Sequence, residues 1–521
     1  MPTRRTALQG ALVLSAAALS PAWGTAPVAK TKHGRVRGYA NDGVLVFKGV
    51  RYGADTGPTR FLAPRTPATW RKTLDALQYG AASPQTSRNE AANEDCLFLN
   101  VWTPGLRDGA RRPVMFYIHG GAYASGSGSS PLYDGTRLCQ RGNVVVVSVN
   151  HRLGALGYLY LARLGGAAFA DSGNAGMLDL VLALRWVRDN IEEFGGDPNN
   201  VMVFGQSGGG AKIATMMAMP AAQGLFHRAA TMSGQQLTAS GPLNATARAR
   251  VFLEAMKLSE ARIEEIRTAP LDAILSAARA TDPIIGRGSL YFGPVLDDRT
   301  LTRHPFYPDA PAQSAAIPMI IGNTHDETRS LIGRSDAATF TLTWDELPAR
   351  LLPQMRVDIS PDRVIAKYRR LYPAYSPSDV FFSATTASRS WRAAIVEAEL
   401  RAAQGSPVYA YQLDWPSPQD DGKWGAPHTL DIPLVFDNLD KPGSITGTGE
   451  SAQAMANQMS EAFIAFARTG NPNTKHAPSW VPYSLAQRET MVFNVPSQLV
   501  NDPRGAERKL FAEVPFIQQG T

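Results

Sequence analysis

The sequence has few of the residues that build disulfide scaffolds, metal clusters or nucleic-acid surfaces. Its two cysteines, Cys96 and Cys139, allow at most one disulfide bond, which excludes a disulfide-rich fold and a four-cysteine zinc site. Only 19% of the residues are charged, and no run of five or six like charges occurs. The net charge of +7 therefore predicts a mildly basic surface rather than a nucleic-acid site.

The sequence also lacks an apolar run long enough to cross a membrane. Near the N-terminus such a run covers only residues 11–19, whereas a transmembrane helix needs about 20 apolar residues. It follows Arg4 and Arg5 and precedes Pro21 and small residues, which is the order found in export signals. We expect residues 1–24 to be an export signal, twin-arginine-like or general secretory, for a periplasmic or secreted protein without a stable membrane span.

Apolar residues, by contrast, are abundant. They make up 44% of the chain, enough for a large core, and no repeat or low-complexity linker divides residues 25–521, which we expect to form one domain. Continuous apolar runs predict strands buried on both faces at residues 114–118, 144–149, 201–204, 318–321 and 408–412. Apolar residues three and four apart over residues 176–194 predict an amphipathic helix between two of them. This alternation predicts an α/β fold with a large, mostly parallel central sheet flanked by helices on both faces.

Residues 203–210 read VFGQSGGG, one hydroxyl among four glycines. They join the predicted strand 201–204 to a predicted helix over residues 208–219, and a G-x-S-x-G sequence at such a turn presents its serine at a helix N-terminus. A phosphate-binding loop would need Gly-Lys-Ser/Thr after its glycines, and Lys212 is misplaced for that pattern; a dinucleotide loop would need G-x-G-x-x-G. Ser207 is therefore a candidate nucleophile.

A serine nucleophile needs a histidine to accept its proton and a carboxylate to orient that histidine. Hydrolases with this turn carry the three groups in the order serine, acid, histidine, and the histidines after Ser207 are His227, His304, His325, His428 and His476. The order favours His428, where a loop of small residues meets an apolar segment. Asp326 and Glu327 follow the predicted strand 318–321 at its carboxyl end, where parallel sheets place their sites, and both are candidate acids.

The tetrahedral intermediate of such a reaction also needs backbone N–H donors for its oxyanion. One donor is expected at Gly208, directly after the serine. The others are expected in the glycine-rich loop 119–123, which follows the predicted strand 114–118. Loss of one such donor typically weakens transition-state binding by about 3 kcal/mol.

Together these residues resemble the type-B carboxylesterase/lipase family of α/β hydrolases. The segment EDCLFLNV at residues 94–101 is similar to one family signature, and FGQSGG at residues 204–209 is similar to the nucleophile motif. Further family blocks are matched at residues 47–52, 150–154, 190–198 and 466–472, so the likeness covers nearly the whole chain after residue 24.

The resemblance implies an α/β-hydrolase fold, no metal or organic cofactor, and a small-molecule ester as substrate. Its catalytic positions fall on Ser207 as nucleophile, Glu327 rather than Asp326 as acid, and His428 as base. Its oxyanion-binding N–H groups fall on Gly121, Ala122 and Gly208. Ser233 matches a family serine near the acid and is expected either to support that acid or to be a turn residue at a strand end.

Three positions depart from the family pattern. Gln206 stands where a glutamate often precedes the nucleophile, which removes a carboxylate near the histidine. Ala122 stands in place of a glycine and would cost about 1 kcal/mol or more in a left-handed conformation. Ser83 stands where relatives carry the disulfide partner of Cys96, so Cys96 and Cys139 are expected to be buried free thiols.

The sequence thus predicts a serine carboxylic ester hydrolase that acts on neutral carboxylic esters through an acyl-enzyme, with a Ser-Glu-His triad and an oxyanion hole. Two alternatives share the fold: an acyltransferase with the same triad, and a non-catalytic binding or adhesion protein. The intact set of Ser207, Glu327 and His428 disfavours the non-catalytic alternative. No nucleic-acid partner is expected, and no motif indicates an oligomeric state.

Overall fold

Apolar strands form one large sheet that runs through the molecule. The computed structural model describes residues 26–86, 91–518 and 520, so the predicted export signal lies outside the described residues. The strands are β1 Val28–Lys30, β2 Arg35–Arg37, β3 Tyr39–Asn41, β4 Val44–Arg51, β5 Leu74–Asp75, β6 Phe98–Thr103, β7 Arg112–Ile118, β8 Val145–Val149, β9 Gly196–Gln206, β10 Arg228–Met232, β11 Met319–Thr324, β12 Val408–Leu413, β13 Glu489–Phe493 and β14 Gln498–Asn501.

The large sheet has eleven strands in the order β14-β13-β12-β11-β10-β9-β7-β8-β6-β4-β3, and β1, β2 and β5 form a separate small sheet. From β8 to β13 the neighbouring strands pair in parallel. Antiparallel pairs that involve β3, β4, β6 and β14 complete the two edges. The predicted α/β fold with a mostly parallel sheet is therefore confirmed.

Helices cover both faces of this sheet. They are α1 Thr136–Gly142, α2 Gly154–Tyr158, α3 Ala162–Gly165, α4 Ala175–Asn190, α5 Gly208–Met216, α6 Pro242–Ala255, α7 Leu271–Ala277, α8 Glu327–Leu331, α9 Leu347–Leu351, α10 Pro361–Leu371, α11 Pro377–Thr386, α12 Arg392–Ala403, α13 Asp431–Phe436, α14 Glu450–Thr469 and α15 Gly505–Phe511. Strand β9 shows how the faces divide: Val201 and Val203 join the core under α4, α5, α6 and α12, whereas Met202 and Phe204 join the core under α1, α13 and α14.

A third apolar cluster lies outside these two layers. It is formed by α9, α10, α11 and α15 around Phe381 and Phe382. A π-helical turn over Ala387–Trp391 joins α11 to α12, and Arg389 within it has non-helical backbone angles of φ −108° and ψ −111°. Such turns insert an extra residue into a helix and are frequent at functional sites.

The five strands predicted from continuous apolar runs correspond to β7, β8, β9, β11 and β12. The predicted helix 176–194 is α4 followed by a 3-10 turn over Ile191–Phe194. Helix α5 ends three residues before the predicted helix 208–219 does, at Met216. Strand β10 was missing from the prediction because its apolar run is too short to stand out.

Both cysteines, Cys96 and Cys139, are buried and free, as expected, and burial raises the pKa of each thiol. Within residues 26–86, 91–518 and 520, no helix combines the length and the apolarity that a membrane span requires.

Candidate active site

Ser207 occupies the sharp turn between β9 and α5. Its backbone angles are φ 57° and ψ −126°, a conformation that residues other than glycine rarely adopt. Its backbone N–H donates to the carbonyl of Met232 on β10 at 2.8 Å, which holds the turn against the sheet. The glycines around it are required by close packing. A Cβ on Gly209 would lie 2.0 Å from the carbonyl oxygen of Ile118, and one on Gly208 would lie 2.2 Å from that of Ala122.

Glu327 and His428, which are far apart in the sequence, are in contact in the structure. His428, in the loop between β12 and α13, is hydrogen-bonded through Nδ1 to Oε2 of Glu327, the first residue of α8. The other carboxylate oxygen of Glu327, Oε1, accepts from the Thr324 N–H at 3.0 Å and from Asn323 Nδ2 at 3.2 Å. Glu327 is completely buried, and these donors and the imidazole contribute to compensating its charge.

Asp326, the other candidate acid, faces a different environment. It lies 3.3 Å from His325 Nδ1 and 3.4 Å from Arg329 Nε, and it accepts from the Ala426 N–H at 3.0 Å. Burial raises its pKa, but the hydrogen bond from His325 and the charges of His325 and Arg329 outweigh burial and lower the pKa to about 2. Asp326 is thus paired with His325 and Arg329. Of the two candidate acids, only Glu327 is hydrogen-bonded to His428.

The loop after β7 lies directly against the serine turn. Gly121 and Ala122 both have positive φ, 86° and 51°. Ala122 therefore adopts the left-handed conformation, which is unfavourable for alanine because of its Cβ atom. A Cβ on Gly120 would lie 3.2 Å from that of Ser207, which shows how near the loop comes. Within the described residues, the N–H groups of Gly121, Ala122 and Gly208 donate to no protein acceptor. The loop and the first residue of α5 thus carry three N–H groups without a protein acceptor next to the turn of Ser207.

The two supporting residues singled out from the sequence are both at the site. Gln206 is buried, and its Nε2 lies 3.2 Å from Nε2 and 3.3 Å from Nδ1 of His428. Ser233 Oγ accepts from the Thr324 N–H at 3.4 Å, the same N–H that bonds Glu327. Gln206 thus places a neutral amide against the imidazole, and Ser233 contacts the backbone that orients the acid.

Lys212, which the sequence alone shows only as misplaced for a phosphate-binding loop, lies at this site. It lies on α5 and is fully buried, and its Nζ donates to the carbonyl oxygens of Ala122 at 2.7 Å and His119 at 3.3 Å. Burial lowers its pKa to about 7. Burial and the charge of Lys212 together lower the pKa of His119 to about 3. A lysine in a helix otherwise made of small and apolar residues is the signal that could have identified it.

A cavity of about 250 Å³ opens beside the serine. Ser207, Gly208 and His428 line one side of it, and Arg356 and Arg389 are also in its wall. Ser207 is only half-buried, and within the described residues its hydroxyl forms no hydrogen bond, so it is directed to the cavity rather than held by the protein. In serine hydrolases the hydrogen bond between the serine hydroxyl and the histidine is often long or poorly aligned before substrate binds.

In the part of the chain that the structure describes, no group of three or more His, Cys, Asp or Glu side chains is arranged to hold a metal ion. The arrangement instead unites a hydroxyl, an imidazole, a buried carboxylate and free N–H donors around one cavity, which are the groups that acyl transfer from an ester requires.

Comparison with known proteins agrees with this chemistry. Residues 25–511 match the model of the "Carboxylesterase family". The para-nitrobenzyl esterase of Bacillus subtilis (strain 168) is 36% identical over 502 residues, which cover 94% of this chain and 99% of that protein. The phenmedipham hydrolase of Pseudarthrobacter oxydans is 34% identical over 517 residues, which cover 93% and 96%. A crystal structure of a Geobacillus stearothermophilus carboxylesterase at pH 6.2 matches with a TM-score of 0.82 and 38% identity, covering 93% of this chain and 99% of that one. The chain therefore belongs to the carboxylesterase family and is an enzyme that hydrolyses esters.

Proposed function

We propose that the enzyme hydrolyses carboxylic esters through an acyl-enzyme formed on Ser207. His428 takes the proton of the Ser207 hydroxyl as its oxygen attacks the ester carbonyl, and then gives that proton to the departing alcohol. A water molecule, deprotonated by His428, releases the acid and restores the serine. The single observation that carries this proposal is that buried Glu327 holds His428 in the wall of the cavity that contains Ser207.

Glu327 orients the imidazole in this scheme and stabilises its charged form in the transition state. Because Thr324 and Asn323 bond its other oxygen, the carboxylate has one orientation relative to the ring. A carboxylate fixed in this way favours the histidine tautomer whose Nε2 can accept the serine proton.

The oxyanion of the tetrahedral intermediate accepts from Gly121, Ala122 and Gly208 in this proposal. These N–H groups have no protein acceptor among the described residues and belong to the loop and the helix terminus that meet at Ser207. The N-terminus of α5 adds a favourable partial positive charge to Gly208. Each such donor contributes about 3 kcal/mol of transition-state stabilisation.

A graded series of p-nitrophenyl esters, acetate to octanoate, tests the mechanism. We expect release of p-nitrophenol by the unaltered enzyme, none above background by Ser207→Ala, and stoichiometric labelling of Ser207 by an organophosphonate fluorophore. Retention of activity in Ser207→Ala would contradict the proposal. Adding an alcohol to the assay measures how the acyl group divides between water and alcohol; preferential transfer to the alcohol would make the enzyme an acyltransferase with the same triad.

We also propose that residues 1–24 direct export, because a charged pair, a short apolar run and small residues follow one another there. Cell fractionation with N-terminal sequencing of the purified protein tests this. A cytoplasmic protein that retains residue 1 would contradict it.

A further inference from the structure

The surface of the protein has a groove between α10 and α15 that is rich in charged side chains. Its volume is about 570 Å³, compared with about 250 Å³ for the cavity beside Ser207. The charged residues in its wall are Arg363, Lys367, Arg370, Asp502, Lys509 and Glu513. None of them lines the cavity of Ser207, so this groove, the α10–α15 groove, is a separate feature of the molecule.

Both carboxylates of the α10–α15 groove already have an arginine partner. Glu513 forms an ion pair with Arg363. Asp502 accepts from Nε and Nη2 of Arg508, both at 2.8 Å. These hydrogen bonds lower the pKa of Asp502, and the charge of Lys509 lowers it further without forming an ion pair. Each acid of the groove is thus matched by one arginine.

The other three cations of the groove differ from these arginines. Lys367, Arg370 and Lys509 form no ion pair in the part of the chain that the structure describes. Arg370 Nε donates to the carbonyl oxygen of Ala366, a neutral acceptor in its own helix, at 3.2 Å. Lys367 and Arg370 are three residues apart on α10 and share one face, where like charges destabilise a helix. Lys509 adds a third positive charge from α15, so the groove concentrates positive potential.

Contacts beneath the groove hold its two walls at a fixed separation. Tyr368 of α10 and Tyr372, which follows α10, both donate to the carboxylate of Glu507 on α15, Tyr372 at 2.7 Å. Val364 of α10 and Leu510 of α15 pack in the same apolar cluster. The walls are thus in place without a ligand, and a site of this kind binds with a smaller loss of conformational entropy.

We propose that the α10–α15 groove binds an anion with two linked phosphate groups through Lys367, Arg370 and Lys509. A guanidinium group binds phosphate oxygens through two hydrogen bonds, and an ammonium group contributes a compact charge with three donors. The cations come from two different helices, so a diphosphate, which carries charge at both ends, reaches more of them than a single carboxylate does. This binding goes beyond the proposed ester hydrolysis and does not require Ser207.

Isothermal titration calorimetry with pyrophosphate at low ionic strength tests the proposal. We expect a dissociation constant of about 1 mM or lower, roughly tenfold weaker binding of orthophosphate, and weaker binding of both anions in added salt. No measurable binding of pyrophosphate by the unaltered enzyme would overturn the proposal.

Variants then assign the binding to the groove. Lys367→Gln and Lys509→Gln should each weaken pyrophosphate binding about tenfold, because each removes one charge-assisted hydrogen bond. The control is Lys72→Gln, since Lys72 is an exposed lysine outside the groove that forms no ion pair among the described residues; this variant should bind pyrophosphate like the unaltered enzyme. Equal binding by the unaltered enzyme and both groove variants would overturn the proposal.

A labelling measurement on the unaltered enzyme serves if a variant fails to fold. Pyrophosphate should slow the acetylation of Lys367 and Lys509 by acetic anhydride, read by mass spectrometry, while the rate at Lys72 stays the same. Equal slowing at all three lysines, or at none of them, would count against the proposal. Competitive inhibition of p-nitrophenyl butyrate hydrolysis that persists in both groove variants would place the anion in the cavity of Ser207 and overturn the proposal as well.

Two sources offer this chemistry, a free diphosphate and the headgroup of a prenyl diphosphate lipid. Sedimentation with phosphatidylcholine vesicles, prepared with and without undecaprenyl diphosphate, distinguishes them. Binding of pyrophosphate without binding to either vesicle supports a soluble anion. Binding to the diphosphate vesicles that Lys367→Gln weakens supports the lipid, whereas vesicle binding without pyrophosphate binding would overturn a site for the diphosphate group.

Discussion

Replacing Lys212 by methionine should change how the stability of the protein depends on pH. The pKa of the buried Lys212 ammonium falls from 10.5 to about 7 because of burial. Since one pKa unit corresponds to about 1.4 kcal/mol, the charged form destabilises the folded state by roughly 4 to 5 kcal/mol at neutral pH. Methionine has a similar length and carries no charge, so Lys212→Met removes this cost.

The net effect at neutral pH should nevertheless be small. Lys212 satisfies the carbonyl oxygens of Ala122 and His119, and each carbonyl left without a donor costs about 1 to 3 kcal/mol. The gain from removing the charge and the loss of two hydrogen bonds are therefore of similar size. Stability at one pH does not separate them, whereas its dependence on pH does, because only the ammonium titrates.

The sign follows from proton linkage. The folded pKa of Lys212 is lowered, so between about pH 7 and pH 10.5 the unfolded chain binds more protons than the folded one, and this residue makes stability rise with pH. The difference in free energy of unfolding between the unaltered protein and Lys212→Met should shift by about 2 kcal/mol from pH 7 to pH 9, in favour of the unaltered protein. Urea denaturation at both pH values measures it.

Taking the difference between the two proteins removes the contributions of the titrating groups that Lys212 does not affect. His119 and His151 are affected, since burial and the charge of Lys212 lower the pKa of each, but both change their charge below this pH range. Parallel stability curves for the two proteins over this range would show that no buried ammonium lies against the loop of residues 119–123. The same variant should also lower kcat for p-nitrophenyl butyrate by about tenfold to a hundredfold, because Ala122 loses its anchor and its N–H is an oxyanion donor in the proposed mechanism.

Three further substitutions test the turn at Ser207 and the residues proposed to act with it. Ser207→Gly should be more stable than Ser207→Ala by about 1 kcal/mol in thermal unfolding, because glycine adopts the φ of 57° without strain; equal stability would argue against a strained turn. Glu327→Gln should reduce kcat by roughly 10⁴-fold in the p-nitrophenyl assay while the protein stays folded by circular dichroism, and a loss below tenfold would remove Glu327 from the triad. Gln206→Glu places a negative charge against both ring nitrogens of His428, so the acid limb of the kcat/KM profile should move to higher pH; an unmoved limb would contradict an electrostatic role.

Local sequence was sufficient for much of the fold and for the turn that carries Ser207. Strands buried on both faces are apolar throughout, so β7, β8, β9, β11 and β12 could be recognised without their partners. The turn at Ser207 could be recognised as well, since only glycine fits where the backbone of the helix approaches Ile118 and Ala122. The edge strands could not be recognised from the sequence, because they have few apolar residues. The helices α9 to α11 could not be recognised either, because their apolar residues form a separate cluster away from the sheet.

Choosing between neighbouring side chains required the tertiary structure. Asp326 and Glu327 are adjacent and both follow β11, and the residues alone left the choice open until family likeness favoured Glu327. In the structure Asp326 turns to His325 and Arg329, whereas Glu327, at the start of α8, meets His428 from a loop 101 residues away. Adjacent residues at a helix start point in different directions, so neither composition nor order decides which one reaches the histidine.

By itself, then, the sequence determined the strand and helix framework, the sharp turn at Ser207 and the chain order of the three residues proposed to be catalytic, because these depend on apolar periodicity and on close backbone packing. Only the tertiary structure decided that Lys212 supports the Ala122 loop and that Arg356 and Arg389 share the cavity of Ser207. The physical reason is that these charges act through distance and burial. Both are set by which elements pack together, and neither leaves a periodic signal along the chain.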